Sequence, residues 1–255
     1  MTVAPPTAPA VSQPAAARAT APPAVPTRIV VGEHALLVEG SRRVRGQQPA
    51  PPIWRLALSR TIVWYGRGAG GAELSIHPPG LARPHHRSQR WILYLEPAIA
   101  GLHVKARARP ESRDRRVLEL ARCLLDEEGD IDGDAAALLD RLRAVEIIPP
   151  RSTLHSDLIA ALSRLESHAS LDALARGLAV KPERLRRLVR KELGVSLAHL
   201  RLWRRLRCAI EHLPSVPIAD AAFEAGFADQ PHLTRTATRF LGWTPSELKR
   251  ALSGP

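Results

Sequence analysis

Two short runs of the chain carry side chains with chemistry to offer. Arg184, Arg186, Arg187, Arg190 and Lys191 crowd into eight positions behind Glu183, and Gln230, His232, Arg235 and Arg239 spread over ten around Pro231. A guanidinium makes forked hydrogen bonds to phosphate oxygens and to the acceptor edge of guanine, and a side-chain amide does the same for adenine. Groups of this kind bind; they do not make or break bonds. Nucleophile–base sets, metal triads and phosphate-cradling glycine loops are not visible in the sequence, so no catalytic residue is assigned and the chain is not read as an enzyme. No cofactor and no metal are expected. His85 and His86 lack the further ligands a zinc site needs. The acidic run 126–134 lacks the ordered spacing of a calcium loop and reads as a linker between helices.

The composition points to the same class of partner. The chain has 255 residues, 37 basic against 25 acidic, for a formal charge of +12, and only Lys105, Lys181, Lys191 and Lys249 of the basic residues are lysine. An arginine-dominated excess suits a polyanion, and double-stranded DNA above all. Between 181 and 207 stand ten basic residues and two acidic ones, a net +8. Cys123 and Cys208 lie far apart in apolar helical surroundings, as reduced thiols do. No apolar run approaches the ~18 residues that span a bilayer, and the start of the chain lacks the pattern of an export signal. The expectation is a cytoplasmic, nucleoid-associated protein with no membrane partner.

Residues 1–27, mostly Ala, Pro, Thr and Val, are expected to form a disordered tail. Residues 28–110 read as short strands punctuated by Gly and Pro: RIVVGEHALLVEG, IWRLALSR, TIVWYG, AELSIHPPG, QRWILYLEP and GLHVKARA. Helices near 115–127 and 134–145 make 111–150 a helical linker or dimerisation segment, and Pro149-Pro150 mark a boundary. From 151 to 255 the chain reads as short helices.

That last stretch contains one unit twice. Leu171, Leu174, Ala175 and Leu178 form an apolar helical stripe, and so do Ile218, Ala221, Ala222 and Ala225. A second helix follows each, predicted at 182–193 and near 230–241. Under a shift of 48 positions Leu185, Leu188 and Val189 become Leu233, Thr236 and Ala237, and Arg187 becomes Arg235. Gly194 and Gly242 suit left-handed helix ends, Ser196 and Thr244 suit the N-caps that follow, and Gly226 suits a sharp turn. Each unit is therefore a helix-turn-helix whose second helix presents the polar residues. A helix over 196–213 joins them and spans roughly 27 Å, approaching the ~34 Å of one DNA turn, so one chain offers helices to two successive major grooves. On this joining helix Arg201, Arg204, Arg205 and Arg207 stand off the apolar stripe, either as phosphate clamps or as a solvated face.

Residues 170–252 resemble the AraC/XylS family of bacterial transcription regulators. The matching residues are SLDALARGLAVKPERLRRLVRKELGVSLAHLRLWRRLRCAIEHL and IADAAFEAGFADQPHLTRTATRFLGWTPSEL, with the run Ala-x3-Gly-Phe-x-Asp-Gln and the terminal Gly-x-Thr-Pro-Ser. The resemblance implies transcription control, commonly activation through RNA polymerase. It also implies base contacts from the front of each reading helix, here Glu183, Arg186 and Arg187, then Gln230, Pro231, His232 and Arg235. Lys181 stands where the family has a capping Ser, and Ala237 where it has a core aromatic. The segment SIHPPGLARPHHRSQRWILYLEP is similar to the family's cupin-type sensing domain, without its paired early histidines. The expected fold is thus α+β, a small β-rich cupin-like domain followed by an all-α double helix-turn-helix domain. A small-molecule effector of unknown identity and a homodimer formed through the N-terminal half are expected with it. Two alternatives stand beside this: an effector-independent regulator whose N-terminal half serves only dimerisation or a protein partner, and, more remotely, a cupin-type enzyme fused to a DNA-binding domain.

Overall fold

The structure, a computed structural model, describes residues 26–40, 54–59, 73–77, 90–96, 111–112, 130–146, 148, 150, 158, 161–162 and 171–253. The expected tail up to residue 25, the expected helix near 115–127 and the segments TIVWYG and GLHVKARA lie outside them.

Six strands form one antiparallel sheet: β1 Arg28–Val31, β2 Ala35–Gly40, β3 Trp54–Ser59, β4 Glu73–His77, β5 Arg90–Leu95 and β6 Glu111–Ser112. Their order across the sheet is β1-β2-β5-β3-β4-β6. β5 therefore lies between β2 and β3, with Leu36 opposite Tyr94 and Val38 opposite Ile92. Side chains alternate between the faces of a strand. Leu36, Val38, Ile92 and Tyr94 share one face and join the core that runs into the C-terminal helices. Ala35, Leu37, Leu93 and Leu95 occupy the other and are also buried. This double burial explains why both strands read as continuous apolar runs. The pairing starts earlier than the sequence suggests: Pro26 is buried and the Thr27 N–H donates to the Glu39 carbonyl at 2.8 Å.

Helix α1, Ile131–Ala144, begins three residues before its expected start because Asp130 caps it, its carboxylate accepting from the Asp132 N–H at 3.0 Å. Asp132 then reaches back to the β1–β2 turn. Its carboxylate accepts from the backbone N–H groups of Glu33 at 2.6 Å, His34 at 3.0 Å and Ala35 at 2.8 Å. Gly32 leaves room for this contact; a Cβ there would come within 2.6 Å of Ile131 Cγ2 and 2.7 Å of Asp132 Oδ2. Part of the acidic run read as a linker is thus an anchor between a helix and the sheet.

Among the described residues six further helices have defined bounds: α2 Leu171–Gly177, α3 Pro182–Leu193, α4 Leu197–His212, α5 Ile218–Glu224, α6 Gln230–Phe240 and α7 Pro245–Leu252. Their ends are written in the local sequence. Gly194, Gly226 and Gly242 take φ of 73°, 76° and 87°. Ser196 caps α4 by accepting from His199 N–H, Asp229 caps α6 by accepting from His232 N–H at 2.6 Å, and Thr244 and Glu247 form a reciprocal capping box on α7. Lys181 offers α3 no side-chain cap, and Pro182 at its first turn supplies the preset φ instead.

Candidate nucleic-acid interface

Helices α3 and α6 are each buried along one stripe and exposed along much of the rest. In α3 the core takes Leu185, Val189 and Leu193, which leaves Glu183, Arg184, Arg186, Arg187, Arg190 and Lys191 exposed. In α6 it takes Leu233, Thr236, Ala237 and Phe240, which leaves Gln230, Pro231, Arg235 and Arg239 exposed and His232 half-buried. Leu185 and Leu233 are buried at equivalent places in the two units, so Arg187 and Arg235, two residues on, leave their helices at equivalent places as well. Ala237 is buried, and Phe240 three residues on packs its ring 6.5 Å from that of Trp203.

Arg186 meets Glu183 at 3.3 Å, an exposed pair three residues apart and worth ~0.3–0.5 kcal/mol. The His232 ring stands edge-on against Phe227 at 5.1 Å, so part of its surface belongs to the turn of the second unit. Thr234 returns its hydroxyl to the Gln230 carbonyl at 3.0 Å. A shallow depression runs between Gln230, Pro231, Thr234 and Arg235. In the first turn of α4, burial, and then the positive charges of Arg239 and Arg190, hold the exposed His199 below the ordinary histidine range.

Helix α4 corrects the reading of its arginines. Arg204 and Arg207 are neither phosphate clamps nor a solvated face, because they hold the sheet. Arg204 grips Glu96 at the end of β5, with Nη2 to Oε2 at 2.7 Å and Nε to both carboxylate oxygens at 3.1 and 3.2 Å, and gives Nη1 to the Leu162 carbonyl at 2.9 Å. Arg207 donates Nη1 to the Gly32 carbonyl at 2.6 Å. Glu96 is 3% exposed. Burial works to raise its carboxyl pKa, but His34 and Arg204, with the charge of Arg207 behind them, outweigh it and hold the group below the ordinary glutamate range. His34 Nδ1 stands 3.8 Å from Glu96 Oε2, beyond hydrogen-bond reach, so its pull is electrostatic and the direct bonds are those of Arg204. Arg205 instead lines a groove with Phe223, Phe227 and His232. Nothing in the sequence singled out Glu96 or Asp132, because their partners stand about a hundred positions away.

Among the described residues no group of three or more His, Cys, Asp or Glu is placed to hold a metal ion, and no helix is long and apolar enough to cross a membrane. His85, His86 and Cys123 lie outside them; Cys208 is a half-buried free thiol.

A helix-turn-helix domain family matches residues 174–251. Among curated protein sequences none matches the chain. Several solved structures do. The C-terminal domain of AraT, a response regulator from Geobacillus stearothermophilus, is 27% identical over 39% of this chain and 88% of that one, with a TM-score of 0.36. An AraC-type DNA-binding-domain regulator from Chromobacterium violaceum is 28% identical over 36% of this chain and 88% of its own, with a TM-score of 0.35. ToxT from Vibrio cholerae, at 9% identity, covers 86% of this chain and 98% of its own with a TM-score of 0.53, a likeness of fold that takes in both the sheet and the helices.

Proposed function

Residues 174–251 are a helix-turn-helix domain of the AraC type, and on that premise we propose that the chain is a sequence-specific transcription regulator whose helices α3 and α6 enter successive major grooves on one face of a duplex. One observation carries the reading. Two helices, each buried along one stripe and cationic along the other, are held by a single connecting helix of 16 residues, about 24 Å long against the ~34 Å of a DNA turn. The two units follow each other in tandem, so the site they read is asymmetric.

Arg187 and Arg235 test it. If each meets a guanine edge, Arg187→Ala and Arg235→Ala each weaken specific binding by about 1–3 kcal/mol. The two lose base preference in different halves of the site, and the double variant is near additive. Pro231 and the half-buried His232 leave α6 fewer free polar groups than α3, so the smaller loss belongs to Arg235→Ala. A binding-site selection on both variants, with circular dichroism to confirm the fold, decides the matter. If both keep the wild-type preference, the contact assignment is wrong.

His199 adds a pH dependence. In the free protein its pKa is held down by burial and by Arg239 and Arg190. Duplex phosphates seated against those arginines would offset their charge and raise it. A group whose pKa rises on binding takes up a proton, so affinity grows as pH falls through the region below 6.5, by up to about tenfold per unit of the rise. Titrations at matched salt compare wild type with His199→Gln. The other histidines are common to both proteins, and equal pH slopes would remove His199 from the interface.

For the N-terminal half two readings compete. A cupin-type unit that takes a small-molecule effector, with pairing of two copies through the same half and contact with RNA polymerase, follows the family resemblance. In the other reading the half is an effector-independent brace, and the burial of β2 and β5 between the sheet and the C-terminal helices supports its bracing part.

A further inference from the structure

The sheet does not merely lie beside the DNA-reading helices; it grips the helix that joins them at several points. Tyr94 of β5 packs its ring 5.5 Å from that of Trp203, and Trp203 in turn packs on Phe240, the last residue of α6. One residue after Trp203, Arg204 closes its fork on Glu96. One helical turn further, Arg207 is tied to the Gly32 carbonyl. Beyond the end of α6, the Trp243 ring lies against Gly40 of β2, where an added Cβ would stand 3.3 Å from it. Apolar contacts of the Tyr94–Trp203 kind permit small slides and rotations. Two directional anchors a turn apart on one helix do not.

We propose that Glu96 is a positioning residue for DNA reading: by locking Arg204 it fixes how the connecting helix sits on the sheet, and so fixes the separation and angle at which α3 and α6 meet the duplex. A buried ion pair contributes little net stability, because desolvation offsets most of its attraction, while its forked geometry admits one arrangement. Removing one partner strands the other charge and lowers the melting temperature, so the geometric role is read at a temperature where the variant stays folded. The pair is built for that use: Glu96 is almost wholly buried, and Arg204 also donates to the Leu162 carbonyl. A residue of the N-terminal half then determines which half-site spacing the chain accepts, with no contact to DNA of its own.

The inference rests on the two-groove reading, and its test keeps the two apart. Full-length wild type and Glu96→Gln, which keeps the shape and removes the charge, are titrated with three duplexes drawn from a binding-site selection. One carries both half-sites at the selected spacing, one carries both with a base pair inserted between them, and one carries a single half-site. Wild type discriminates between the first two. Glu96→Gln holds the single half-site as wild type does and loses about tenfold of the spacing discrimination. Glu96→Gln discriminating as wild type does overturns the proposal, and so does an equal loss on all three duplexes, which is the mark of a general structural defect. If Glu96→Gln loses helicity, Arg204→Lys, which keeps the charge and loses the fork, is judged by the same comparison. A wild type indifferent to spacing would overturn the two-groove reading, and this proposal with it.

Discussion

Raising the salt from 50 to 200 mM weakens duplex binding by roughly 10³–10⁵-fold, the loss expected for six to ten phosphate contacts. The cations on the outward faces of α3 and α6 supply the candidates for these contacts. Arg204, neutralised by Glu96, and Arg207, tied to the sheet, are not among them. Each phosphate neutralised contributes about −0.9 to the slope of log affinity against log salt. Arg190→Gln lowers that slope by about one. A nearly flat titration would show that the cationic helices do not face a polyanion.

Trp203→Ala costs about 3–5 kcal/mol, the usual penalty for truncating a large buried aromatic, against a total stability on the order of 5–15 kcal/mol. Trp203 is 1% exposed, and its ring contacts tie the sheet to the end of α6. Its removal leaves Tyr94 and Phe240 without a common partner, so sheet and helices lose their shared core at once. Trp203→Phe behaves differently. Among the described residues the buried indole Nε1 has no hydrogen-bond partner, and an unsatisfied donor costs about 1–3 kcal/mol. Phe removes that cost while leaving a smaller cavity, so most of the stability survives. Denaturant unfolding of the two variants checks the pair. An alanine variant within about 1 kcal/mol of wild type would show that the shared core is not what holds the two parts together.

The helical half was legible because its signals are local. The 48-residue repeat, the apolar stripe through Leu185 and Val189, the glycines at 194, 226 and 242 and the Thr244–Glu247 box act within a turn or two of where they stand. The sheet was legible only as strands. Its order, with β5 set between β2 and β3, depends on pairings that no local pattern specifies. Least legible was the docking. Glu96 finds Arg204 across 108 positions, Gly32 meets Arg207 across 175, and Asp132 reaches the β1–β2 turn across 97 to 99. An arginine on a helix surface has the same local signature whether it awaits a phosphate or a buried carboxylate. The candidate contact residues were legible for the opposite reason: a helix that buries only every third or fourth residue declares its bare face in its own sequence.

Hydroxyl-radical footprinting of the full-length protein on a selected duplex tests the central claim most directly. Two reading helices on one connecting helix predict two protected tracts on one face of the DNA, centred about 10–10.5 base pairs apart, with unequal patterns because the units are in tandem. A single protected tract, or two tracts on opposite faces, would contradict it.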